Sequence, residues 1–268
     1  MKIGVFDSGI GGITVLKELR ARFQNDEFFY FGDNANLPYG TKSPAQIKNL
    51  AVAAAKYIHL EKIDALVIAC NTASAIAIDE IREVMGDTPV FSVVDAGVES
   101  VLKAYEKAAP ILILGTRATV RSHIYRNLIQ QNLGAKTQVL EQECPLLVPM
   151  IEESWIDHPI LDQCVHEYLK PHFKSAPGVA LLACTHYPWI KKSFEKYLPG
   201  WTVVDSAVAM AQSLDQHFLA AKLVKNLTSE QARLKWQFSD PGSVPSFIFD
   251  EALFAEDEPA LRIKSQAK

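Results

Sequence analysis

Two cysteines in this chain occur in matching contexts, and the repetition points to acid–base chemistry. An apolar run leads into Cys70 and a polar pair, and a second apolar run leads into Cys184 and a polar pair. A thiolate can serve as a nucleophile, a metal ligand or a general base. A matched pair of thiols suits the inversion of a carbon centre, because one thiol can remove a proton from one face while the other delivers a proton to the opposite face.

The sequence around both cysteines predicts thiols that ionise easily. Each cysteine ends a strand-like run and precedes a helical pattern, where backbone N–H groups and the helix dipole favour the thiolate. We therefore expect both pKa values to lie below about 8.5, the usual value of a thiol. Asp7 ends the first strand-like run and could place a carboxylate in the same cleft, and His186 could exchange a proton near neutral pH.

Small polar residues flank these groups and suit a ligand that carries a carboxylate. Hydroxyl and amide side chains, with the N–H groups around them, are neutral donors for such a ligand. These donors are Ser8, Asn71, Thr72 and Thr185. The glycines that follow Ser8 permit a tight turn and a close approach of the backbone to a small ligand. A loop with Pro38, Tyr39 and Gly40 could close over the site.

Other interpretations of these residues remain open at this point. Cys70, Cys184 and His186 could bind zinc, although no paired histidine spacing supports a metal site. Cys184 and His186 could form the nucleophile of a hydrolase, but Cys70 would then have no role. Asp7 could be only a helix cap. The glycine turn lacks the remaining residues of a dinucleotide or P-loop motif, which argues against a nucleotide site.

The elements that must position these residues alternate along the chain. Strand-like runs are separated by amphipathic helical patterns, which predicts an α/β fold. Several of the early runs are apolar throughout, as expected for strands buried on both faces of a parallel sheet. The predicted strands are residues 2–7, 27–33, 64–70, 89–95, 110–116, 137–142, 178–184, 202–205 and 234–240.

The first four predicted strands then recur in order at nearly constant spacing. Residues 2–7 parallel 110–116, 27–33 parallel 137–142, and the two cysteine-bearing runs parallel each other. The fourth match pairs Val93-Val94-Asp95 with Val203-Val204-Asp205. We therefore predict two pseudo-symmetric, doubly wound α/β lobes with mainly parallel sheets. Ligands of such lobes bind at the carboxyl ends of the strands, so both thiols would face one interlobe cleft. A single sheet with coincidental similarity is the alternative.

Composition excludes several classes of protein. The chain has 268 residues, of which 49% are hydrophobic and 22% are charged, as in an ordinary globular protein. Its net charge of -4 offers no basic surface for nucleic acid, so we expect no nucleic-acid partner. No apolar run is long enough for a membrane span, and the first residues do not resemble a signal peptide.

The four cysteines form no CxxC pair, which indicates free thiols and a cytoplasmic protein. Cys144 and Cys164 fall in apolar patterns and are interpreted as packing residues.

Four motifs together resemble those of glutamate racemases, within the aspartate/glutamate racemase superfamily. The resemblance extends from residue 2 to about residue 255. The motifs are Val5-Phe6-Asp7-Ser8-Gly9-Ile10-Gly11-Gly12, Tyr30-Phe31-Gly32-Asp33 with Leu37-Pro38-Tyr39-Gly40, Ala69-Cys70-Asn71-Thr72-Ala73, and Ala183-Cys184-Thr185-His186-Tyr187-Pro188.

This resemblance implies an isomerase that racemises glutamate without cofactor or metal, and therefore without pyridoxal phosphate. Cys70 and Cys184 would be the catalytic bases on opposite faces of the α-carbon, assisted by Asp7 and His186 respectively. Glu152, which follows a Val-Pro segment, would be a partner of His186. Implied substrate contacts are Asp7, Ser8, Tyr39, Gly40, Asn71, Thr72, Thr116, Thr119, Thr185 and His186.

The resemblance also implies how the chain is organised. Residues 1–96 and 206–255 would form the first lobe, 97–205 the second lobe, and 256–268 a solvated tail. We further expect a homodimer that supplies D-glutamate for peptidoglycan synthesis. A racemase of aspartate or a related acid remains an alternative, because one methylene changes binding by only about 1–3 kcal/mol. A two-lobe protein that binds a small acid without catalysis is another alternative.

Overall fold

A computed structural model describes residues 1–220, 233–245 and 247–250 of the chain. Strands and helices alternate along it, as the hydrophobic pattern predicts. The elements of the first half are β1 Lys2–Asp7, α1 Ile13–Arg22, β2 Glu27–Gly32, α2 Pro44–His59, β3 Ala65–Ile68, α3 Asn71–Met85, β4 Val90–Ser92 and α4 Val93–Ala104. The remaining elements are β5 Ile111–Gly115, α5 Arg117–Arg121, α6 Ile124–Leu133, β6 Val139–Glu143, α7 Leu147–Glu152, α8 Pro159–Leu169, β7 Val179–Ala183, α9 Lys191–Tyr197, β8 Thr202–Val204, α10 Ala207–Ala220, β9 Leu234–Phe238 and α11 Phe247–Asp250.

The strands of the described residues form two sheets in which every pairing is parallel. One sheet has the order β4-β3-β1-β2-β9, and the other has the order β6-β5-β7-β8. Reversing the second order gives β8-β7-β5-β6, which matches β4-β3-β1-β2 strand for strand. The prediction of two related parallel α/β lobes is therefore confirmed, and the last described strand lies beside β2 in the first sheet.

Helices cover both faces of each sheet, which explains why strands β3, β5 and β7 are apolar at every position. In the first sheet, side chains of β1 pack alternately against α1 and α10 and against α2 and α3. In the second sheet, side chains of β5 pack alternately against α7, α8 and α9 and against α4 and α6. Every residue of β3, β5 and β7 is buried as a result. This is the burial that a doubly wound sheet imposes.

One detail of the predicted repeat is wrong. Val93 and Val94 begin α4, whereas Val203 and Val204 belong to strand β8. The reason is local, because the Ser92 hydroxyl accepts a hydrogen bond from the Val94 N–H and so caps the helix directly after the strand. Strands β4 and β8 occupy equivalent positions in their sheets, but the similar residues Val93-Val94 and Val203-Val204 do not occupy equivalent positions in those strands.

The limits of the lobes near residues 96 and 206 stay a prediction, and the predicted tail at 256–268 lies outside the described residues. No helix within 1–220, 233–245 and 247–250 is long and apolar enough to cross a membrane.

Candidate active site

Both repeated cysteines line one small cavity at the carboxyl ends of the strands. Cys70 follows β3 of the first sheet, and Cys184 follows β7, its equivalent in the second sheet. The cavity encloses about 20 Å³, which is room for about one water molecule. Its wall is formed by Ser8, Pro38, Tyr39, Gly40, Cys70, Asn71, Thr72, Thr116, Val148, Cys184, Thr185 and His186.

Cys70 is buried at the beginning of α3. Its sulfur accepts a hydrogen bond from the Ala73 N–H at 3.4 Å and so caps the helix, and its thiol donates to Ser8 Oγ at 3.4 Å. Burial and the nearby charge of Asp7 nevertheless raise the pKa of Cys70 to about 12. The expected lowering of this pKa is therefore wrong, because desolvation outweighs the helix terminus.

Cys184 is the first member of a chain of three groups, of which Cys184 and His186 are buried and Glu152 is partly buried. His186 Nδ1 lies 3.9 Å from Cys184 Sγ, and His186 Nε2 lies 2.6 Å from Glu152 Oε1. Burial acts to lower the pKa of His186, but its contacts with Cys184 and Glu152 outweigh burial and raise that pKa to about 10. His186 is therefore an imidazolium at neutral pH, which places a proton donor beside the Cys184 sulfur.

Asp7 lies behind the cavity wall, where it connects the two halves of the site. Its carboxylate accepts hydrogen bonds from the Gly9 N–H at 2.9 Å and from Thr185 Oγ1 at 3.1 Å. The residue is fully buried, and burial raises the pKa of its carboxyl above the usual value. Asp7 acts on Cys70 through its charge, since it raises the pKa of that thiol.

Three threonine hydroxyls form a triangle at the cavity wall, where Thr72 and Thr116 line the cavity. Thr72 Oγ1 lies 2.8 Å from Thr116 Oγ1 and 3.2 Å from Thr119 Oγ1, and the last two oxygens are 3.0 Å apart. Thr72 lies on helix α3, which follows strand β3 of the first sheet. Thr116 and Thr119 follow strand β5 of the second sheet. The hydroxyls of Thr72 and Thr116 therefore connect the sheets directly.

The structure brings every predicted site residue to this region, but in two layers. Most line the cavity itself, whereas Asp7, Glu152 and Thr119 touch the lining residues from behind. All four cysteines are free thiols, and Cys144 and Cys164 pack in the hydrophobic core around α8. Among the described residues, no three His, Cys, Asp or Glu side chains are grouped closely enough to hold a metal ion.

Comparison with known proteins places this arrangement in a family. The model of the Asp/Glu/Hydantoin racemase family matches residues 13–214. The chain belongs to this family.

The proteins most similar to this family member include glutamate racemases, the group that the sequence motifs resemble. A glutamate racemase from Sulfurihydrogenibium sp. is 42% identical over 215 residues, which are 80% of this chain and 82% of that protein. The fold is similar to that of glutamate racemase from Francisella tularensis in complex with D-glutamate, with a TM-score of 0.84, 34% identity, and coverage of 93% and 92% of the two chains. Glutamate racemase from Aquifex pyrophilus gives a TM-score of 0.74, 34% identity, and coverage of 93% and 94%.

Asp33 supports the site in this family member, although the sequence pattern does not show its role. Asp33 is buried, and its carboxylate accepts a hydrogen bond from the Tyr39 hydroxyl at 2.6 Å and two from Asn36 Nδ2 at 3.0 and 3.1 Å. These bonds hold the loop that brings Tyr39 and Gly40 to the cavity. Asp33 forms part of a motif, but only the folded loop shows which side chains its carboxylate joins.

Proposed function

We propose that this chain is a glutamate racemase that interconverts L- and D-glutamate with two thiols and no cofactor. One observation carries the proposal: Cys70 and Cys184 line a single cavity from equivalent strand ends of two related sheets. The relatives named above support glutamate as the substrate, because they are glutamate racemases and one is bound to D-glutamate.

The raised pKa of Cys70 suggests how the two cysteines divide the reaction. In one direction, the Cys184 thiolate takes the α-proton, the Cα–H bond breaks, and its electron pair passes into the substrate carboxylate. The Cys70 thiol, which its raised pKa of about 12 keeps protonated, then delivers its proton to the opposite face of the α-carbon. Afterwards Cys184 is a thiol and Cys70 is a thiolate, which is the state that the reverse direction requires.

The neighbouring groups have supporting roles in this proposal. The His186 imidazolium exchanges protons with Cys184, and Glu152 holds the ring through its 2.6 Å hydrogen bond. Neutral donors of the cavity wall bind the substrate carboxylates, and the N–H groups at the beginning of α3 favour the negative charge that develops there. The side-chain donors are Ser8, Asn71, Thr72 and Thr116. The hydroxyls of Tyr39 and Thr185 already donate to Asp33 and Asp7, so these two residues would contact the substrate through other atoms. We place the protein in the cytoplasm as a homodimer that supplies D-glutamate for peptidoglycan, as the resemblance implies.

Incubation with L-glutamate in D₂O tests the proposal. The protein without added cofactor should form D-glutamate that carries deuterium at the α-carbon, and L-aspartate should react with a lower kcat/KM. Cys70→Ser and Cys184→Ser should each reduce turnover in both directions by at least about 100-fold, since a positioned acid–base group contributes at least that factor.

Cys164→Ser is the matched control, because Cys164 lies on α8, is partly buried against the core, and is not in the cavity wall. This variant should retain the activity of the unmodified protein. Activity that survives either Cys70→Ser or Cys184→Ser, or an absence of deuterium in the product, would contradict the two-thiol mechanism.

A further inference from the structure

The Asn71 side chain leaves one strong donor without a partner at the wall of the cavity. Asn71 is the first residue of α3, adjoins Cys70 and is only 3% exposed. Its Oδ1 accepts a hydrogen bond of 2.5 Å from the Tyr125 hydroxyl. Its Nδ2 is buried and has no hydrogen-bond partner among the residues that the structure describes. A buried amide nitrogen is costly to leave unpaired. Because Asn71 is one of the residues that line the cavity, this unpaired nitrogen points to an acceptor on a bound ligand.

Tyr125 contacts Asn71 from a helix that packs on the second sheet. It lies on α6, is 1% exposed, and packs in the core between α4 and α6. Gly97 of α4 makes this approach possible, because a Cβ atom there would lie 2.8 Å from the Tyr125 hydroxyl oxygen. Burial raises the pKa of Tyr125 above its usual value, so the hydroxyl keeps the proton that it donates.

We propose that Tyr125 is a positioning residue that orients the Asn71 amide so that Nδ2 donates to a carboxylate oxygen of the substrate. An amide can present either its oxygen or its nitrogen to a ligand, and these two ends differ little in size. The Tyr125 hydroxyl donates to Oδ1, and its other polar neighbour is the Val93 carbonyl oxygen at 3.5 Å. A flipped amide, which would offer oxygen to the cavity, would leave the hydroxyl proton only this longer contact. An oxygen in that place would repel a carboxylate. Tyr125 therefore favours the amide orientation that turns a donor toward the substrate, and it does so without lining the cavity itself.

Replacing only the hydroxyl tests the role of Tyr125. Because this inference rests on the proposed function, kinetics are measured with both L- and D-glutamate. Tyr125→Phe should raise both KM values about 3- to 10-fold, the effect of one neutral hydrogen bond, and should change kcat less than about twofold. Tyr197→Phe is the matched control, since it removes a 2.6 Å bond to Asp162 on the same lobe, away from the cavity. Its KM values should not change.

A double-mutant cycle separates positioning from a general structural effect. If Tyr125 acts through Asn71, the KM increase should disappear when Tyr125→Phe is made in an Asn71→Ala background. An equal increase in both backgrounds would overturn the proposal. Gly97→Ala gives an independent test, since the added methyl group should displace the Tyr125 hydroxyl and raise KM in the same direction.

The orientation of the amide is also measurable without turnover. The Asn71 side-chain NH₂ should give one sharp pair of signals in a ¹⁵N–¹H spectrum, assigned by their loss in Asn71→Ala. In Tyr125→Phe these signals should shift or broaden, and in Tyr197→Phe they should stay in place. Unchanged Asn71 signals in Tyr125→Phe would overturn the proposed positioning role. A protein that does not racemise glutamate but shows the expected spectra would contradict only the proposed function.

Discussion

His186 carries a charge that its burial alone would remove. The residue is 2% exposed, yet its contacts with Cys184 and Glu152 raise its pKa to about 10. The folded-state pKa thus lies above the usual value of about 6.5. The stabilisation that follows from this difference is fully present below about pH 6.5 and is lost as the pH rises through about 10.

Glu152→Gln should reveal this stabilisation at the level of the single residue. The substitution keeps a hydrogen-bond acceptor for His186 but removes the negative charge, so the pKa of His186 should fall. The free energy of unfolding should decrease by about 1–3 kcal/mol near pH 6.5, as expected when a buried charged group loses its charged partner. The difference from the unmodified protein should shrink as the pH approaches 10, which denaturant titrations at a series of pH values would measure.

Glu153→Gln makes the same change of charge on the next residue, which is exposed. Its effect should be small and independent of pH. A Glu152→Gln effect that stays constant between pH 6.5 and 10.5 would contradict the assigned role of the His186 charge.

Residue types and spacing predicted which side chains meet at the site, but not the environment they find there. The pattern around Cys70 predicted a lowered pKa, whereas depth of burial and the charge of Asp7 raise it. The sequence shows the helix terminus, but it does not show how much water the fold removes. The role of Tyr125 could not be predicted from the sequence for a related reason. Its partner Asn71 lies on a helix that packs on the other sheet, and no local sequence spacing connects the two residues.

At the scale of elements, strand order was predictable and the exact ends of strands were not. All nine described strands were predicted. The signal is clearest in β3, β5 and β7, because a strand buried on both faces requires apolar side chains at every position, whereas β6 and β9 carry polar residues and are only partly buried. The short β4 ends earlier than expected, since Ser92 caps α4. The loops after the strands depend on close contacts between sequence-distant segments, and glycine is what permits them.

Gly11 shows this dependence most directly. It lies in the loop after β1, and a Cβ atom there would lie 2.3 Å from Thr185 Oγ1 and 2.4 Å from His186 Nδ1. Gly11→Ala should therefore displace the loop that carries His186 and reduce kcat/KM for glutamate at least about 100-fold, the effect of misplacing a catalytic group by about 1 Å.

Gly242→Ala is the control for Gly11→Ala, because a Cβ atom at position 242 meets only an ordinary contact of 3.4 Å. This variant should have normal kinetics. Normal activity of Gly11→Ala would show that the loop after β7 tolerates displacement and that the close approach has no catalytic importance.

At the scale of the whole molecule, the two sheets hold the cysteines around a space smaller than the proposed substrate. The enclosed volume of about 20 Å³ accommodates about one water molecule, whereas glutamate is far larger. Thr72 and Thr116 join the sheets on one side of this space, and Asp7 and Thr185 join them on another. Entry of glutamate therefore calls for a wider space, which loosening of these contacts and separation of the strand ends would provide.

Hydrogen exchange should detect this opening and its reversal by substrate. In the free protein, the backbone amides that follow β1, β3 and β7 should exchange faster than those within the strands, because opening exposes them first. Saturating glutamate should slow exchange in these segments of both sheets, since the ligand bridges the two halves and binds only where they can close on it. Helix α8, which packs away from the cavity, is the internal control and should exchange at the same rate with and without glutamate. Slowed exchange in only one sheet would contradict closure of two halves around the substrate, because a ligand placed between Cys70 and Cys184 must contact both.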